Sequence, residues 1–474
     1  MTPFRHTKLV CTIGPASEDE TVLAAMLDAG MDVARLNLSH GTLEEHTRRL
    51  ERVRRLAAQR GRFVAVMLDI QGPKIRLGDV GPDRAVRPGD TLTLVGVASP
   101  CAAEGDAIPV VYPPLARSVR PGQAIYLDDG ALRLAVEAVE GERVRCRVLN
   151  AGVVRSRKGV ALPGVDVELP AISEVDRDHL HWAAQVGVDV VAASFVRRGE
   201  HVEAVRRELE AAGSRASVVA KIESAQGLRH LDEIVAAADG VMVARGDLGV
   251  EIPLEDVPLA QKEIIRRCNE AGKPVIVATQ MLESMVQSPV PTRAEVTDVA
   301  NAIFDGADAV MLSGETAVGR HPVEAVAMLH RIALGAERGY AYGRPVERRP
   351  GSVSTVAQAI SRATCETAED VGAAAILCST QSGATARMVA RFRPRAPIVA
   401  ATPHAEVARQ LALVWGVVPA VVPRARNIDE MIDVALTAAR HTGLVRSGDR
   451  VVVAAGVKTD LPGSTNMLQV HEVP

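Results

Sequence analysis

Two neighbouring segments of the chain carry residue types that could bind a divalent metal beside a phosphate. Lys221 and Glu223 stand two residues apart in VVAKIESAQGL, and in a β-strand both side chains would point to the same face. Asp247 follows the next apolar run, in VMVARGDLG, where it could converge on Glu223. Two carboxylates suit Mg²⁺ or Mn²⁺, and an ammonium group beside that metal suits phosphoryl transfer or stabilisation of an enolate. The alternative is a structural Lys–Glu ion pair, which would stabilise the fold only weakly.

Further positions offer donors for an anionic substrate. Gly246 allows close approach of the backbone, and its N–H together with that of Asp247 could bind a carboxylate. Arg35, in VARLNLSHG, presents a fixed fork of donors that fits a phosphate or a carboxylate. His40, at the end of the same segment, suits a local hydrogen bond as well as a catalytic base. The sequence contains neither a GxxxxGK[ST] phosphate loop nor the motifs of protein kinases, so any nucleotide must be held by other elements.

These residues follow short apolar runs that alternate with helical segments. Runs of this length, rich in β-branched residues and flanked by glycine, predict strands buried on both faces. Eight of them alternate with helices, which predicts an α/β fold with a (β/α)₈ TIM barrel and an active site at the carboxyl ends of its strands. The runs are KLVCTIG, DVARLNLSHG, FVAVMLDIQG, DVVAASFV, SVVAKIES, GVMVARGDLG, PVIVATQM and ADAVMLSGET. The polar residues at their carboxyl ends are Arg35, Asn37, Ser39, Asp69, Lys221, Glu223, Asp247, Thr279 and Ser313. The intervening spacing predicts helices over 18–29, 43–58, 174–185, 200–212, 261–271 and 294–304.

Two other parts of the chain differ from this alternation. After the third run come short alternating strands and many Gly, Pro and Asp turns, which predict a small β-barrel inserted as a lid at the active-site end. A linker over 342–352 leads to runs AAILCST, PIVAATP, RVVVAAG and MLQVHEV, which predict a separate open αβ domain. The predicted domains are the barrel over 1–71 and 168–344, the lid over 72–167, and the C-terminal domain over 345–474.

The first strand of the C-terminal domain leads into STQSGAT, which has the composition of an anion site. Hydroxyl groups and backbone N–H groups at a strand-to-helix turn can bind a phosphate, and the alternative is a Ser/Thr helix cap without a ligand. The segment 456–466 would form the opposite wall, with Lys458 as a candidate phosphate contact. The candidate residues of the loop itself are Ser379, Thr380, Ser382, Gly383 and Thr385.

Composition excludes several other functions. With 55 Lys and Arg against 58 Asp and Glu, the net charge of −3 favours neither nucleic acid nor a membrane surface as a partner. Aromatic side chains (2 Trp, 4 Tyr and 5 Phe) are too scarce for base-stacking platforms. No apolar run approaches the roughly 18 residues of a membrane span, and the first residues lack the features of a secretory signal. The six cysteines include no CxxC pair. A cytoplasmic enzyme is expected.

Over essentially its whole length the sequence resembles the pyruvate kinase family. The matching segments are TKLVCTIGPAS, DVARLNLSHG, LDIQGPKIR, KGVALPG, VVAKIESAQGL, VMVARGDLGVEIP, ATQMLESM, PTRAEVTDVANAIFDGADAVMLSGETAVG and PGSTNMLQV. The resemblance implies a (β/α)₈ barrel, an inserted β-barrel and a C-terminal αβ domain. It implies the last step of glycolysis, in which the phosphoryl group of phosphoenolpyruvate passes to ADP, giving pyruvate and ATP. It also implies a homotetramer whose C-terminal loop binds the phosphate of an allosteric effector.

The resemblance assigns roles to the charged residues at the strand ends. Glu223 and Asp247 would bind Mg²⁺ or Mn²⁺. Lys221 would neutralise charge on the transferring phosphoryl group, and Arg35 would hold the phosphate. These roles agree with the chemistry that the residue types allow.

The resemblance also places the neutral residues of the site. Thr279, with the backbone of Gly246 and Asp247, would bind the substrate carboxylate. Thr279, Ser313 and bound water are alternative routes for the proton that reaches C3 of the enolate, and the sequence does not choose between them. The residues that match positions near the nucleotide are Arg76, His40 and Asn37.

One motif departs from family members that require K⁺. They typically have LDTKGPEIR where this chain has LDIQGPKIR, so Lys74 replaces the usual glutamate. An ammonium in place of a carboxylate changes the local charge by about two units and disfavours a bound monovalent cation. The chain thus resembles the subset in which an internal lysine substitutes for K⁺. Asn37, Ser39 and Asp69, the other family ligands, are present, but we expect no occupied K⁺ site and largely K⁺-independent activity.

Two rival functions make different demands on the sequence. A metal-dependent lyase or aldolase of the related phosphoenolpyruvate/pyruvate-binding barrels would share the enolate chemistry, but it would need neither the lid insertion nor the phosphate loop. A catalytically silent effector-binding protein would be expected to lack Lys221, Glu223 or Asp247, and all three are present.

Overall fold

The computed structural model of the chain describes residues 4–101, 105–340, 342, 355–456 and 465–474. Eight parallel strands form a closed barrel in the order β1-β16-β15-β14-β13-β12-β3-β2. The barrel closes where Lys8 pairs with Ala309, which joins the first strand to the last. This arrangement confirms the predicted TIM barrel. Its strands are β1 (Lys8–Thr12), β2 (Val33–Asn37), β3 (Ala65–Asp69), β12 (Val190–Ala193), β13 (Ser217–Ile222), β14 (Gly240–Ala244), β15 (Val275–Ala278) and β16 (Ala309–Leu312).

The helices of the barrel bury their apolar faces against the outer side of the strands. Several begin with a capping box, in which the N-cap side chain and the third helical residue each satisfy a backbone N–H of the other; Thr42 with Glu45 and Thr292 with Glu295 are two examples. The helices are α1 (Glu20–Asp28), α2 (Leu43–Gln59), α4 (Glu174–Val186), α5 (Gly199–Ala211), α6 (Ala225–Arg229), α7 (Leu231–Ala237), α8 (Arg245–Glu251), α9 (Val257–Ala271), α10 (Arg293–Phe304), α11 (Gly314–Ala317) and α12 (Pro322–Arg338). Short 3₁₀ turns span Leu254–Asp256 and Glu283–Val286.

The lid is inserted between β3 and α4. It contains a six-stranded sheet in the order β11-β7-β8-β9-β5-β6 and a two-stranded sheet of β10 and β4, which share one apolar core. Buried and exposed residues alternate along β9, the pattern of a sheet with one solvated face. The lid elements are β4 (Arg84–Val86), β5 (Thr91–Gly96), β6 (Ile108–Val110), α3 (Leu115–Ser118), β7 (Ala124–Leu127), β8 (Leu132–Glu140), β9 (Arg143–Val148), β10 (Gly152–Val154) and β11 (Val160–Ala161).

The C-terminal domain is a five-stranded sheet in the order β19-β18-β17-β20-β21, covered by helices on both faces. Four of its strands match the predicted runs, and β19 is an addition. Its sequence contains Pro419, which cannot donate to a sheet ladder, and β19 accordingly lies at the edge. The elements are α13 (Val356–Asp370), β17 (Ala375–Ser379), α14 (Ala384–Ala390), β18 (Ile398–Thr402), α15 (Ala405–Leu411), β19 (Val417–Val421), α16 (Ile428–His441), β20 (Arg450–Ala455) and β21 (Met467–Glu472).

The C-terminal domain packs against the amino-terminal ends of the barrel strands, which we call the closed end. Ala412 and Leu413 join the apolar core inside the barrel. Two ion pairs flank this contact: Arg393 Nη1 lies 2.9 Å from Asp308 Oδ1 in a buried pair, and the half-buried Arg409 has its Nε 2.7 Å from an oxygen of Asp189. No helix in the described part of the chain is long and apolar enough to cross a lipid bilayer.

Candidate active site at the barrel mouth

The carboxyl ends of the barrel strands, which we call the barrel mouth, bring Lys221 and Glu223 together. The Lys221 Nζ atom lies 2.9 Å from Glu223 Oε1 and 3.1 Å from Asp69 Oδ1, and it donates a hydrogen bond of 2.7 Å to Ser194 Oγ. Burial alone would lower the pKa of Lys221, but the negative charges of Asp69 and Glu223 outweigh it and raise the pKa above its usual value. The ammonium group is therefore held as a cation at the floor of the mouth.

Glu223 and Asp247 form an acidic pair beside this lysine. Burial raises the pKa of Glu223, and the charge of Asp247 raises it further, while Lys221 acts in the opposite direction. Because the two carboxylates destabilise each other's charge, a cation between them would be favoured. Among the described residues, no group of three or more His, Cys, Asp and Glu side chains is placed to hold a metal alone. Two carboxylates fit Mg²⁺ or Mn²⁺ when waters or substrate oxygens complete the shell.

Arg35 lies next to this network and is held in place by protein contacts. Its Nε donates a hydrogen bond of 2.8 Å to Asp69 Oδ2, and its Nη1 donates one of 2.9 Å to Thr12 Oγ1. Its Nη2 also lies 2.8 Å from Asp69 Oδ2. A guanidinium has five N–H donors, so some remain for an anion after these contacts are made. Asp69 thus joins Arg35 to Lys221, which fixes two cations side by side.

Thr279 adopts a backbone conformation that β-branched residues rarely adopt. Its φ of 71° lies in the left-handed region, where such a residue is strained. Local hydrogen bonds stabilise this strained conformation. Thr279 Oγ1 accepts from the Gly246 N–H at 2.9 Å, and Arg245 Nη2 donates to the Thr279 carbonyl at 2.6 Å. A substrate carboxylate bound by the Gly246 N–H would take the place of the Thr279 hydroxyl as its acceptor.

Ser313 follows β16 and carries a hydroxyl without a protein partner. Its Oγ is buried and makes no hydrogen bond within the described residues, while its N–H donates to Glu315 Oε2 at 2.7 Å. An unsatisfied buried hydroxyl costs free energy, and such groups concentrate where a ligand or water completes them. Ser313 therefore has a free hydroxyl at the strand end.

Lys74 connects the barrel to the lid. Its Nζ donates a hydrogen bond of 2.8 Å to Asp129 Oδ1, in the lid, and one of 3.3 Å to Asp247 Oδ1, at the mouth. Burial would lower the pKa of Lys74, but Asp247 and Asp129 raise it above its usual value. The ammonium also lies 5.5 Å from the centre of the Phe195 ring. Its hydrogen-bonding partners are thus acids that flank the cleft.

A cleft lies between the lid and the barrel mouth. Glu223 and Asp247 line it from the barrel, Asp129 and Val160 line it from the lid, and Lys74 lines it where the chain enters the lid. The structure therefore places the acidic pair in one cleft that both domains line, as expected of an active site.

Comparison with known proteins agrees with this architecture. The barrel domain model of the pyruvate kinases matches residues 4–326, and the family's alpha/beta domain model matches residues 358–471. The chain belongs to the pyruvate kinase family. It is 49% identical over 473 residues to "Pyruvate kinase" of Geobacillus stearothermophilus. The aligned region covers 99% of this chain and 80% of that protein. It is 46% identical over 477 residues to "Pyruvate kinase" of Clostridium acetobutylicum, which covers 99% of this chain and the whole of that protein.

Of the predicted nucleotide residues of this pyruvate kinase family member, Asn37 pairs in the sheet with Asp69 of the Lys221 network, while Arg76 and His40 are exposed. Arg76 is exposed, and its Nη1 lies 3.4 Å from the Arg157 carbonyl in the lid. His40 is also exposed, and its carbonyl accepts a hydrogen bond of 2.8 Å from His46. Asn37 Oδ1 accepts from the Ser39 N–H at 3.2 Å. None of these three hydrogen bonds involves Glu223 or Asp247.

Sequence analysis missed several residues of the pyruvate kinase mouth. Ser194 directly follows the run DVVAA, so the strand-end signal could have found it. Asp129 stands in a lid turn, and no sequence signal pairs it with Lys74. Glu251 lines the cleft, where burial and the charge of Asp247 raise its pKa to about 7. Its position depends on how α8 packs, which local pattern does not reveal.

The second pyruvate kinase domain contains the predicted phosphate loop. Thr380 Oγ1 accepts from the Gly383 N–H at 2.9 Å, and the Thr385 hydroxyl meets that of Thr465 at 2.8 Å. The Ser382 carbonyl accepts from Arg387 Nη1 at 2.8 Å, and Ser379 ends β17. Of the opposite wall, Lys458 lies outside the described residues, as does most of the linker over 342–352.

Proposed function

We propose that this protein catalyses phosphoryl transfer between phosphoenolpyruvate and ADP, giving pyruvate and ATP in the cytoplasm. The observation that carries the proposal is the contact of 2.9 Å between Lys221 Nζ and Glu223 Oε1, beside Asp247 and under the lid, in a chain of this family. The bond between phosphorus and the enol oxygen breaks, and a bond from phosphorus to a β-phosphate oxygen of ADP forms. The enolate left behind takes a proton at C3.

Positive groups at the floor of the mouth would bind and orient the phosphoryl group. Lys221 would face the transferring phosphoryl group, and Arg35 would hold it with the donors that Asp69 and Thr12 leave free. Fixed donors stabilise charge as it develops without reorganising, which is the main source of catalysis in phosphoryl transfer. Thr279, with the backbone of Gly246 and Asp247, would bind the substrate carboxylate.

The acidic pair would hold a divalent metal. Glu223 and Asp247 would be its protein ligands, and Mg²⁺ or Mn²⁺ fits the oxygen donors. When bound, the metal supplies positive charge that offsets the negative charge of the phosphoryl and enolate oxygens. Phe195 would keep Glu223 oriented, since its N–H donates to Glu223 Oε2 at 2.6 Å.

Proton delivery to the enolate would involve the neutral hydroxyl groups. The unpartnered Ser313 Oγ supports a role in holding the proton-donating water, and Thr279 remains the alternative. The lid would exclude bulk water, so the enolate would receive its proton from this local source. On the rim, Arg76, His40 and Asn37 would bind the nucleotide, with the lid above it.

Lys74 would take the place of K⁺. Its charge lies at the metal ligand Asp247, while the family ligand Asp69 is already paired with Arg35 and Lys221. A further cation would meet three positive groups close by. Activity in buffer without K⁺ should match that with K⁺, and Lys74→Glu should become K⁺-dependent. Equal rates of Lys74→Glu with and without K⁺ would contradict this role.

The loop Ser379–Thr385 would bind the phosphate of an allosteric effector. The Thr380 hydroxyl closes the turn at the Gly383 N–H, and the guanidinium of Arg387 donates to the Ser382 carbonyl beside it. Calorimetric titration with inorganic phosphate and with a hexose bisphosphate would test this, with Ser382→Asp as the variant that repels both. Undiminished binding to Ser382→Asp would contradict the proposal. Light scattering would test the expected homotetramer.

The main test is pyruvate formation from phosphoenolpyruvate, ADP and Mg²⁺. Glu223→Gln keeps the shape of the side chain and removes its charge, so activity should fall at least about 100-fold. Glu210→Gln, on the exposed face of α5, is the matched control and should retain the parent rate. A folded parent that forms no pyruvate would overturn the proposed reaction, and an active Glu223→Gln would overturn the metal assignment.

A further inference from the structure

The connection from β12 to α5 lies between the two segments by which the lid joins the barrel. We call these two segments the outgoing crossing, which leads from β3 into the lid, and the returning crossing, which leads from the lid to α4. The outgoing crossing passes Gly72, where a Cβ atom would stand 2.6 Å from the Ser194 carbonyl oxygen. Gly72 has a φ of +67°, so only a residue without a side chain fits there without strain. The returning crossing passes Leu169 and Pro170 on its way to α4. The segment 194–197 therefore touches the chain on both sides of the lid.

Arg197 binds the returning crossing through its guanidinium. Its Nη2 donates to the carbonyls of Leu169 at 3.0 Å and Pro170 at 3.1 Å, and its Nη1 donates to the carbonyl of Phe195 at 3.2 Å. The residue is only 3% exposed. Within the described part of the chain it pairs with no carboxylate, and burial lowers its pKa to about 10. Burying a cation without a carboxylate partner costs free energy, so the position of the Arg197 guanidinium among three backbone carbonyls indicates a role beyond packing.

The same arginine reaches the metal site through one residue. Phe195, whose carbonyl it holds, has a φ of +53°, and its N–H donates to Glu223 Oε2 at 2.6 Å. A non-glycine residue in this conformation needs support from its surroundings. The Arg197 bond to its carbonyl provides part of that support. A continuous set of hydrogen bonds thus runs from Leu169 and Pro170 through Arg197 and Phe195 to Glu223.

We propose that Arg197 is a positioning residue that ties the returning crossing of the lid to the carboxylate of Glu223. By holding the Phe195 carbonyl and the returning crossing together, Arg197 keeps Phe195 in its left-handed conformation and so keeps the Glu223 oxygens aimed at the metal position. Partners that orient a ligand typically contribute 10–100-fold to metal affinity. This inference rests on the proposed role of Glu223 as a metal ligand.

The experiment measures Mn²⁺ binding to the substrate-free full-length enzyme, using the electron paramagnetic resonance signal of free Mn²⁺. Arg197→Met keeps the length of the side chain but loses every donor, and it should weaken Mn²⁺ binding about 10-fold. Hydrogen exchange of the amides over 165–172 should accelerate by a similar factor, because the crossing loses its anchor. Arg198→Met is the matched control: its arginine is the exposed neighbour, and both quantities should stay at the parent value.

Arg197→Lys keeps the experiment decisive if the methionine variant does not fold. An ammonium group cannot reproduce the planar fork that spans three carbonyls, so Mn²⁺ binding should weaken by about 3-fold or more. Parent-like Mn²⁺ binding in every folded Arg197 variant would overturn the inference. Glu223→Gln separates the two proposals: if it binds Mn²⁺ as the parent does, the metal assignment itself is wrong, and the inference falls with it.

Discussion

Two buried glutamates at opposite ends of the barrel differ in how their charge is compensated. Glu337, at the closed end, accepts from the Thr7 N–H at 2.7 Å and the His6 N–H at 3.0 Å, and its Oε2 lies 3.2 Å from the His6 ring. Burial would raise the pKa of Glu337, yet these contacts with His6 and Thr7 lower it. Glu223, at the mouth, has a lysine and one backbone N–H beside it, but burial and Asp247 raise its pKa.

This difference distinguishes buried charges that the protein itself satisfies from buried charges that are left to interact with a ligand. At the closed end, each buried carboxylate is met by enough donors to be stable as it stands. At the mouth, Lys221 is shared between Asp69 and Glu223, Asp247 adds a further negative charge beside Glu223, and the Ser313 hydroxyl has no partner among the described residues. Charge that the protein itself leaves uncompensated is available to substrate and metal, and such groups concentrate at functional sites.

Removing the mouth lysine should give the largest effect and test this separation directly. We expect Lys221→Met to lower kcat by about 1000-fold, because the transferring phosphoryl group loses its fixed positive charge. Lys8→Met is the control at the closed end, where Lys8 Nζ donates to the Val417 carbonyl at 2.8 Å. Steady-state kinetics of both variants should show normal turnover for Lys8→Met. Equal losses of kcat in the two variants would contradict the distinction between the mouth and the closed end of the barrel.

Breaking a buried pair at the closed end should affect stability without affecting chemistry. Arg393→Met leaves Asp308 without its cation, and we expect the free energy of unfolding to fall by about 3–5 kcal/mol. Urea denaturation measures the loss, and kcat of the folded enzyme should stay unchanged. Arg177→Met, which removes an exposed pair with Glu208, should leave the midpoint nearly unaltered. A large fall in kcat for Arg393→Met would show that the closed end also contributes to catalysis.

Ser313→Ala should have the opposite pair of effects to Arg393→Met: it should lower kcat and leave stability unchanged. Its hydroxyl is buried with no partner in the part of the chain that the structure describes, so its removal should leave the thermal midpoint unchanged or slightly higher. The proposed role of Ser313 in holding the proton-donating water predicts that its loss lowers kcat about 10-fold. Thermal unfolding and initial rates on the same preparation check both expectations. A destabilised but fully active variant would make Ser313 a structural residue.

The smallest expected effect is a pH dependence confined to the closed end. The pKa of Glu337 in the folded protein lies below its ordinary value of 4.5, so the folded state binds fewer protons than the unfolded state. The stability from Glu337 is therefore complete above about pH 4.5 and is lost as the pH falls through the lowered pKa. Thermal midpoints of the parent should fall more steeply below pH 4.5 than those of Glu337→Gln. Parallel curves would contradict this assignment.

The sequence predicts the barrel well because its evidence is local. Each barrel strand is a short apolar run, and strand alternation alone predicts that Lys221 and Glu223 share a face. The edge strand Val417–Val421 escaped prediction because Pro419 interrupts its pattern, although an edge position tolerates a proline. Local pattern thus identifies buried strands better than marginal ones.

Contacts between segments that are distant along the chain could not be predicted from the sequence pattern. Lys74 stands out as a replaced glutamate, but its contact with Asp129 depends on how the lid folds over the barrel. Arg197 follows a predicted strand, yet its acceptors at Leu169 and Pro170 come from a segment of no regular pattern. Such partners are set by tertiary packing, which residue types and spacing do not encode locally.

The entry of Leu413 into the barrel interior has a consequence for biosynthesis. The last barrel strand ends at Leu312, and Leu413 leaves the ribosome about a hundred residues later. At typical translation speeds of about 5–20 residues per second, that interval lasts about 5–20 s. During this time the apolar residues at the closed end of a nascent barrel lack the cover that Ala412 and Leu413 later provide. The barrel of this chain therefore completes its core only after the domain that follows it has begun to emerge.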